Sequence, residues 1–308
     1  MELTDDAVQA VIRRIRMVPD KYRTFTEGPE EVAAIHQISD DLFAQLMDLG
    51  LPSTSGGRVR LFDRTDLENV GLSLGLPCPR RIAMQWWSRS LDTIVSQPNS
   101  EFHLRVSTKC PQDHDGACKF APSPYLEAAV ASGSLATVQP GLVTARVRLE
   151  IQHVMFDGAY AELFDRLDSL TFHIIPETMP PETVFAADTG LADCRIAAKL
   201  LVDNAADHGL RARPAAGFFM SPPFPMRHVW TEFWLSGSWV PADPFLLRSL
   251  SRWGITDLEK WPVHRSPAGL LWALQSIDSI DTPVMFHGGR DAPASLVIRK
   301  QVFTAARA

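Results

Sequence analysis

Residues 188–209 read DTGLADCRIAAKLLVDNAADHG, and this stretch decides the fold. Asp193 is a typical N-cap and Gly209 a typical residue to end a helix, so we expect a helix of about four turns between them. Cys194 would lie in the first turn, where the helix dipole is positive and backbone N–H groups have no partner within the helix. This placement favours the thiolate and supplies N–H donors for an oxyanion. Cys194 is therefore a candidate nucleophile.

Two predicted strands follow this helix. Residues 210–219 form the first strand, and residues 227–235 form the second. Because side chains alternate between the faces of a strand, His228 shares a face with Trp230. Residues 218–226, just before His228, are rich in phenylalanine, methionine and proline. We expect them to wall a dry acyl channel beside the imidazole.

A hairpin turn at residues 236–237 would pair the strand of His228 with residues 239–244. In that register Asp243 lies diagonally from His228. Diagonal neighbours are about 7–8 Å apart at the backbone, which is within hydrogen-bonding reach of the two side chains. A bulge at Pro241 would change the register. The hairpin therefore predicts an imidazole–carboxylate pair, on the condition that no bulge forms.

A thiol, an imidazole and a carboxylate suit nucleophilic catalysis by sulfur. Such catalysis needs a thiolate, a base that moves its proton, and a group that holds the base in the correct tautomer. Cys194, His228 and Asp243 would fill these roles in that order. The sulfur attacks a carbonyl, a thioester forms, and water or an amine completes the exchange. We expect the backbone N–H of Cys194 to be one oxyanion donor.

The same segments resemble a known superfamily. A cysteine-bearing helix that ends in HGLRAR, a strand that opens HVWTEF and an arm that reads WVPADP look like the transglutaminase-like superfamily of papain-type cysteine enzymes. The resemblance covers about residues 180–246. It implies an α+β fold with a papain-like core, in which the helix bearing Cys194 packs on an antiparallel sheet, and it implies the triad roles given above. Many members have glycine two residues before the cysteine, whereas Ala192 stands here and the nearest glycine is Gly190.

The resemblance also implies a range of functions. Some bacterial relatives form amide bonds from carrier-bound acyl thioesters in natural-product biosynthesis. We expect that function here, with an acyl thioester or a peptide as substrate and an acyl carrier protein as a candidate partner. A cysteine peptidase or amidase on the same triad is the first alternative. A catalytically silent transglutaminase-like scaffold is the second.

The rest of the chain predicts a two-part organisation. Periodic apolar residues predict helices at 5–18, 40–49, 80–94 and 159–170 and a strand at 143–151. We expect a mainly helical N-terminal region over residues 1–140 and a catalytic domain over residues 141–308. Loops are predicted at residues 52–57 and 109–124, which are rich in glycine, proline and small polar residues.

Composition excludes several classes of protein. The 308 residues are 45% hydrophobic and 21% charged, which rules out a largely disordered chain. The net charge of −6 is spread over both halves, so no basic surface for nucleic acid is expected. The acidic N-terminus predicts no signal peptide, and no apolar run reaches the roughly 18 residues of a membrane span. Four irregularly spaced cysteines predict a reducing compartment, the cytoplasm.

Residues 153–158, HVMFDG, offer a rival site. They resemble the His-x-x-x-Asp-Gly signature of condensation and chloramphenicol-acetyltransferase-like enzymes, in which the histidine is a base for acyl transfer. His153 would then be the base, and Asp157 would be the aspartate of the signature. The pattern is short and easily arises by chance. Whether His153 and Asp157 have a function stays open at this point.

Cys110 and Cys118, with His114 between them, are a second cluster to weigh. Their spacing of eight residues matches no usual zinc pattern, so we predict an irregular loop with incidental thiols. His287, before a pair of glycines, is likewise predicted to be a loop residue. We therefore expect no metal and no cofactor.

Overall fold

The computed structural model describes residues 4–57, 59–95, 99–110, 116–275 and 283–301. The chain forms two compact units, and each is built from three segments. Unit 1 comprises Met1–Ser88, Arg166–Ala197 and Phe245–Pro262. Unit 2 comprises Arg89–Asp165, Ala198–Pro244 and Val263–Ala308. The division at residue 140 stays a prediction.

Helices and mostly antiparallel sheets alternate along the described residues, which confirms the predicted α+β class. The helices are α1 (Asp5–Met17), α2 (Pro29–Ala34), α3 (Asp40–Asp48), α4 (Arg64–Leu74), α5 (Pro79–Ile94), α6 (Pro124–Ala129), α7 (Ala159–Asp165), α8 (Thr183–Thr189), α9 (Cys194–Ala205) and α10 (Pro244–Arg252). None of these helices is both long and apolar enough to cross a membrane.

The strands of the described residues form five sheets. They are β1 (Phe25–Glu27), β2 (Ser53–Gly56), β3 (Val59–Asp63), β4 (Asn99–Thr108), β5 (Phe120–Pro122), β6 (Leu135–Gln139), β7 (Leu142–Glu150), β8 (Thr171–Phe172), β9 (Leu191–Ala192), β10 (Ala212–Phe219), β11 (Met226–Leu235), β12 (Ser238–Ala242), β13 (Leu271–Gln275), β14 (Met285–His287), β15 (Arg290–Ala292) and β16 (Ala294–Gln301). Their orders are β1-β3-β2, β8-β9, β12-β11-β10-β13, β15-β14-β5 and β16-β4-β7-β6.

Unit 1 is organised by capped helices around an apolar core. The side chains of Thr4 and Ser39 accept hydrogen bonds from backbone N–H groups in the first turns of α1 and α3, where the sequence predicts helix starts. The core contains, among others, Val8, Val11, Ile12, Ile15, Leu42, Leu46, Phe62 and Leu67. The loop prediction for residues 52–57 was wrong, because β2 pairs with β3 and becomes one arm of a hairpin.

Unit 2 contains the larger sheets. Strand β7 confirms the predicted strand at residues 143–151. Strand β4 lies in the region for which we expect mainly helix. Its buried Phe102 and Leu104 alternate with exposed His103 and Arg105, which is the period of a strand. Its two neighbours in the sheet, β7 and β16, come from distant parts of the chain, so they give no local signal.

Two further local predictions need correction. Helix α7 ends at Asp165, earlier than predicted. The loop predicted at residues 109–124 contains β5, because Phe120 pairs with His287 of β14 far along the chain. Residues 111–115 of that loop, including His114, lie outside the described residues.

Candidate active site

Cys194 is the first residue of α9 and is partly buried. The Oδ1 atom of Asp193 accepts hydrogen bonds from the backbone N–H groups of Arg195 and Ile196, both at 3.0 Å. Gly209 ends the short helical turn that follows α9, in the left-handed conformation with φ 68°. Both predicted ends of the helix are therefore confirmed, and Cys194 occupies the predicted position in its first turn.

Arg195 is a functional candidate that sequence analysis missed. Its buried guanidinium group donates a hydrogen bond from Nε to Asp193 Oδ2 at 2.8 Å. It also donates to four backbone carbonyls, those of Ile175, Pro176, Glu177 and Met179, at 3.0–3.4 Å. A cation in the first turn opposes the helix dipole, and this unfavourable placement is the signal that could have revealed a buried set of acceptors. Arg195 thus ties a neighbouring segment to the helix start that carries Cys194.

The backbone just before Cys194 is fixed by the parallel pair β8-β9. The backbone N–H of His173 donates to the Ala192 carbonyl at 2.8 Å. The His173 side chain is fully buried, and its Nε2 lies 3.2 Å from Asn69 Nδ2. Burial lowers the pKa of His173 to about 3, so the ring is neutral near pH 7. A neutral, packed side chain therefore supports the backbone two residues upstream of the candidate nucleophile.

The β11-β12 hairpin has the predicted register. It turns at Ser236 and Gly237, which have φ values of 51° and 91°. From there the strands pair without a bulge as far as Thr231 and Ala242. Pro241 therefore leaves the register unchanged. The condition on which the imidazole–carboxylate pair depends is met.

His228 and Asp243 are hydrogen-bonded to each other, through Nε2 and Oδ2. Both side chains are buried, with 4% and 7% of their surfaces exposed. A carboxylate at Nε2 favours the tautomer that carries its proton on Nε2 and a lone pair on Nδ1. Nδ1 is then the atom of His228 that would accept a proton from a thiol.

Two aromatic rings and a glycine are neighbours of the His228 side chain. The ring centroids of Trp230 and Phe219 lie 6.2 and 6.5 Å from that of the imidazole. Gly217 of β10 faces His228 across the ladder. A Cβ atom on Gly217 would lie 2.0 Å from the backbone oxygen of Trp272 in β13, far inside van der Waals contact. Only glycine therefore allows β13 to pair closely beside the strands that hold the imidazole.

Helix α9 packs on the same sheet. The hydroxyl group of Thr231 donates a hydrogen bond to the Ala198 carbonyl of α9 at 3.2 Å. Thr231 lies three residues after His228 on β11. A helix that begins at a cysteine and packs on an antiparallel sheet was the predicted core, and the structure confirms it.

Two other predicted features belong to unit 2. Phe218 and Met220 belong to the buried core, whereas Phe224 is exposed, so only part of the predicted apolar wall is buried. In the rival motif, His153 and Asp157 are exposed. The buried member of that motif is Phe156, which packs on Phe164 and Phe233.

A helix that starts at a cysteine, packed on an antiparallel sheet that holds a buried histidine–carboxylate pair, defines the papain-like class of architectures. Within this class, residues 159–244 match the family model of the transglutaminase-like superfamily, which confirms the resemblance over that region. The matched residues include Cys194, His228 and Asp243. This region of the chain is therefore similar to the core of that superfamily.

Comparison with whole proteins adds little. No curated protein matches the chain. A solved structure from Cytophaga hutchinsonii, called a "Putative Cysteine Protease", matches with 11% identity and a TM-score of 0.32 over 67% of this chain and 91% of that chain. At this TM-score the likeness carries no conclusion about this protein.

Proposed function

We propose that the protein is a cysteine acyltransferase in which Cys194 is the nucleophile, His228 the general base and acid, and Asp243 the orienting group. One observation carries this proposal: the buried hydrogen bond between His228 and Asp243 lies within the region that matches the transglutaminase-like superfamily. Burying a carboxylate is costly unless it is strongly paired, and packing alone does not require one. An imidazole that acts as a base needs a carboxylate hydrogen-bonded to its Nε2 to hold it in the correct tautomer.

In the reaction, Nδ1 of His228 would accept a proton twice and give a proton back twice. Nδ1 takes the proton of the Cys194 thiol, and the thiolate attacks the carbonyl carbon of an acyl thioester. The tetrahedral oxyanion accepts a hydrogen bond from the Cys194 N–H. Its collapse expels the donor thiolate, which takes the proton from the imidazolium. An amine then attacks the enzyme thioester, Nδ1 takes the amine proton, and collapse gives the amide and the Cys194 thiolate, which takes that proton back from the imidazolium.

Amide formation is preferred over hydrolysis because His228 is buried and lies beside the aromatic rings of Trp230 and Phe219. Excluding water lets an amine compete for the thioester. A peptidase or amidase would use the same triad with water as acceptor. We place the enzyme in the cytoplasm because the cysteines are few and irregularly spaced.

Product analysis tests the reaction directly. The protein would be given a small acyl thioester with and without a primary amine, and the products would be weighed by mass spectrometry. We expect amide in proportion to the amine, and no product with the C194S variant. Free acid alone at every amine concentration would leave only the hydrolase, and equal product with C194S would overturn the catalytic role of the cysteine.

A carrier-bound acyl donor is supported by a basic face in unit 2. Arg299, His103 and Arg146 lie side by side on three neighbouring strands, with Arg105 two residues further along β4. All four side chains are exposed. Among the described residues that line the groove over this face, none is acidic. On a protein of net charge −6, such a face suits an acidic carrier protein.

Charge-reversal variants test whether this basic face binds the carrier rather than the acyl group. The R105E/R146E double variant should raise the KM for a carrier-bound thioester by about 10-fold, because positive charges that steer an acidic partner are lost. The KM for a small soluble thioester should not change. R60E, at an exposed position of unit 1, is the control. Equal effects on both substrates would contradict docking at this face.

A further inference from the structure

Two cysteines and a histidine meet in unit 2, outside the site described above. The sulfur atoms of Cys110 and Cys118 and a ring nitrogen of His287 all lie within 4.8 Å of one another. Cys110 follows β4, Cys118 precedes β5, and His287 is the last residue of β14. The prediction that His287 is a loop residue was therefore wrong. The spacing of the two cysteines in sequence gave no hint of this histidine, which comes from far along the chain.

The backbone places these three side chains together. Phe120 of β5 faces His287 in the β5-β14 ladder, and the N–H of Gly288 donates to the Lys119 carbonyl at 2.8 Å. Thr108, two residues before Cys110, donates from its N–H and its hydroxyl group to carbonyls of neighbouring segments, at 2.8 and 2.6 Å. Main-chain hydrogen bonds therefore anchor all three segments close to the donor atoms.

The chemistry of the cluster points to one kind of ligand. Thiolates and imidazole are the donors that zinc prefers. Zinc bonds of about 2.3 Å to sulfur and about 2.0 Å to nitrogen set tetrahedral donor atoms roughly 3.5–3.8 Å apart. The observed separations, up to 4.8 Å, need to contract by about 1.3 Å at most.

We propose that Cys110, Cys118 and His287, together called the zinc corner, bind one Zn²⁺ ion. Two thiolates and the imidazole are the protein ligands, and a water molecule completes the tetrahedron. Each thiol gives its proton to solvent as the sulfur–zinc bond forms, so binding releases two protons. The ion joins the ends of β4 and β14 and the start of β5.

Cobalt is the probe for the test, because tetrahedral Co²⁺ bound to thiolates absorbs visible light and shows sulfur-to-metal charge transfer. The full chain, reduced and stripped with a chelator, should bind about one equivalent of Co²⁺ with these bands, and Zn²⁺ should abolish them. The variants C110S, C118S and H287N should each weaken binding by at least about 100-fold. C194S is the control and should bind Co²⁺ like the wild type while losing any acyl transfer.

A measurement on the unaltered protein guards against variants that fail to fold. Zinc should protect Cys110 and Cys118 from alkylation and leave the labelling of Cys194 unchanged, as mapped by mass spectrometry. Absence of the charge-transfer bands would overturn the proposal, and so would unchanged cobalt binding by a folded H287N. A Cys110–Cys118 disulfide in protein prepared with zinc would assign the cysteines to redox chemistry instead.

Discussion

The start of helix α9 and the zinc corner hold cysteine side chains by opposite means. At the helix start, the side chains of Asp193 and Arg195 are buried and hydrogen-bonded to each other and to the neighbouring backbone. At the zinc corner, Cys110 and Cys118 are exposed, and they lie just outside the strands that place them. A nucleophile needs a position that the protein fixes in advance. Metal ligands need only lie within reach of an ion, because binding of the ion fixes their final positions.

The largest effect should come from changing His228 or Asp243, whereas a change at Cys118 of the zinc corner should have no effect on catalysis. H228N and D243N should each lower turnover of an acyl thioester by about 10³-fold or more, because the base or its tautomer is lost. Alkylation of Cys194 below about pH 8, where ordinary thiols are mostly protonated, should slow in parallel in H228N. C118S should leave both rates unchanged. Wild-type turnover by H228N would show that His228 is a structural residue.

The next prediction concerns the strand pairing beside His228. G217A should lower the free energy of unfolding by about 3 kcal/mol, because the added methyl group collides with the backbone oxygen of Trp272. G28A is the matched control, since its methyl group would meet only the tip of the Glu31 side chain. Urea denaturation followed by tryptophan fluorescence measures both. Similar values for the two variants would mean that β13 can shift without cost.

Arg195 tests whether the helix start is fixed in advance. R195M should lower kcat by about 100-fold with little change in KM, because the Cys194 backbone loses its support and a misplacement of about 1 Å has such an effect. R195K should recover part of the loss. R252M is the control, because Arg252 also donates to two carbonyls of unit 1, those of Leu170 and Asp168. A KM effect alone, or no rescue by lysine, would contradict a positioning role.

The smallest effect is a pH dependence of stability. The pKa of His173 is about 3 when folded and about 6.5 when unfolded, so the unfolded chain binds more protons between these values. Its contribution is complete above pH 6.5 and is lost as the pH falls. The stability difference between wild type and H173Q should therefore shrink by about 1 kcal/mol between pH 6.5 and 5.5. Other titrating groups are common to both proteins and cancel. A constant difference would show that the pKa of His173 is the same in the folded and the unfolded chain.

Features that depend on neighbours in sequence could be predicted. The cap at Asp193, the stop at Gly209 and the turn at Ser236 are local, and the register from that turn to Asp243 follows from strand geometry. The imidazole–carboxylate pair could therefore be predicted without a structure.

Features that depend on distant partners could not be predicted. Strand β5 exists because Phe120 meets His287, and the zinc corner depends on the same pairing. For Arg195 the sequence offers only its unfavourable position in the first turn of the helix, because its acceptors are backbone carbonyls of another segment. Contacts of this kind become visible only when the chain has folded.

The segment order of unit 1 has a consequence for synthesis on the ribosome. The chain emerges N-terminus first, yet Arg81 and Ser88 donate hydrogen bonds to the carbonyls of Trp253 and Ile255, at 3.0 and 2.9 Å. The N-terminal helices therefore cannot complete the hydrogen bonds of their unit until residues that are synthesised much later have left the ribosome. A premature stop after residue 244 would leave every proposed catalytic residue in place and still deprive the N-terminal part of the chain of its last segment.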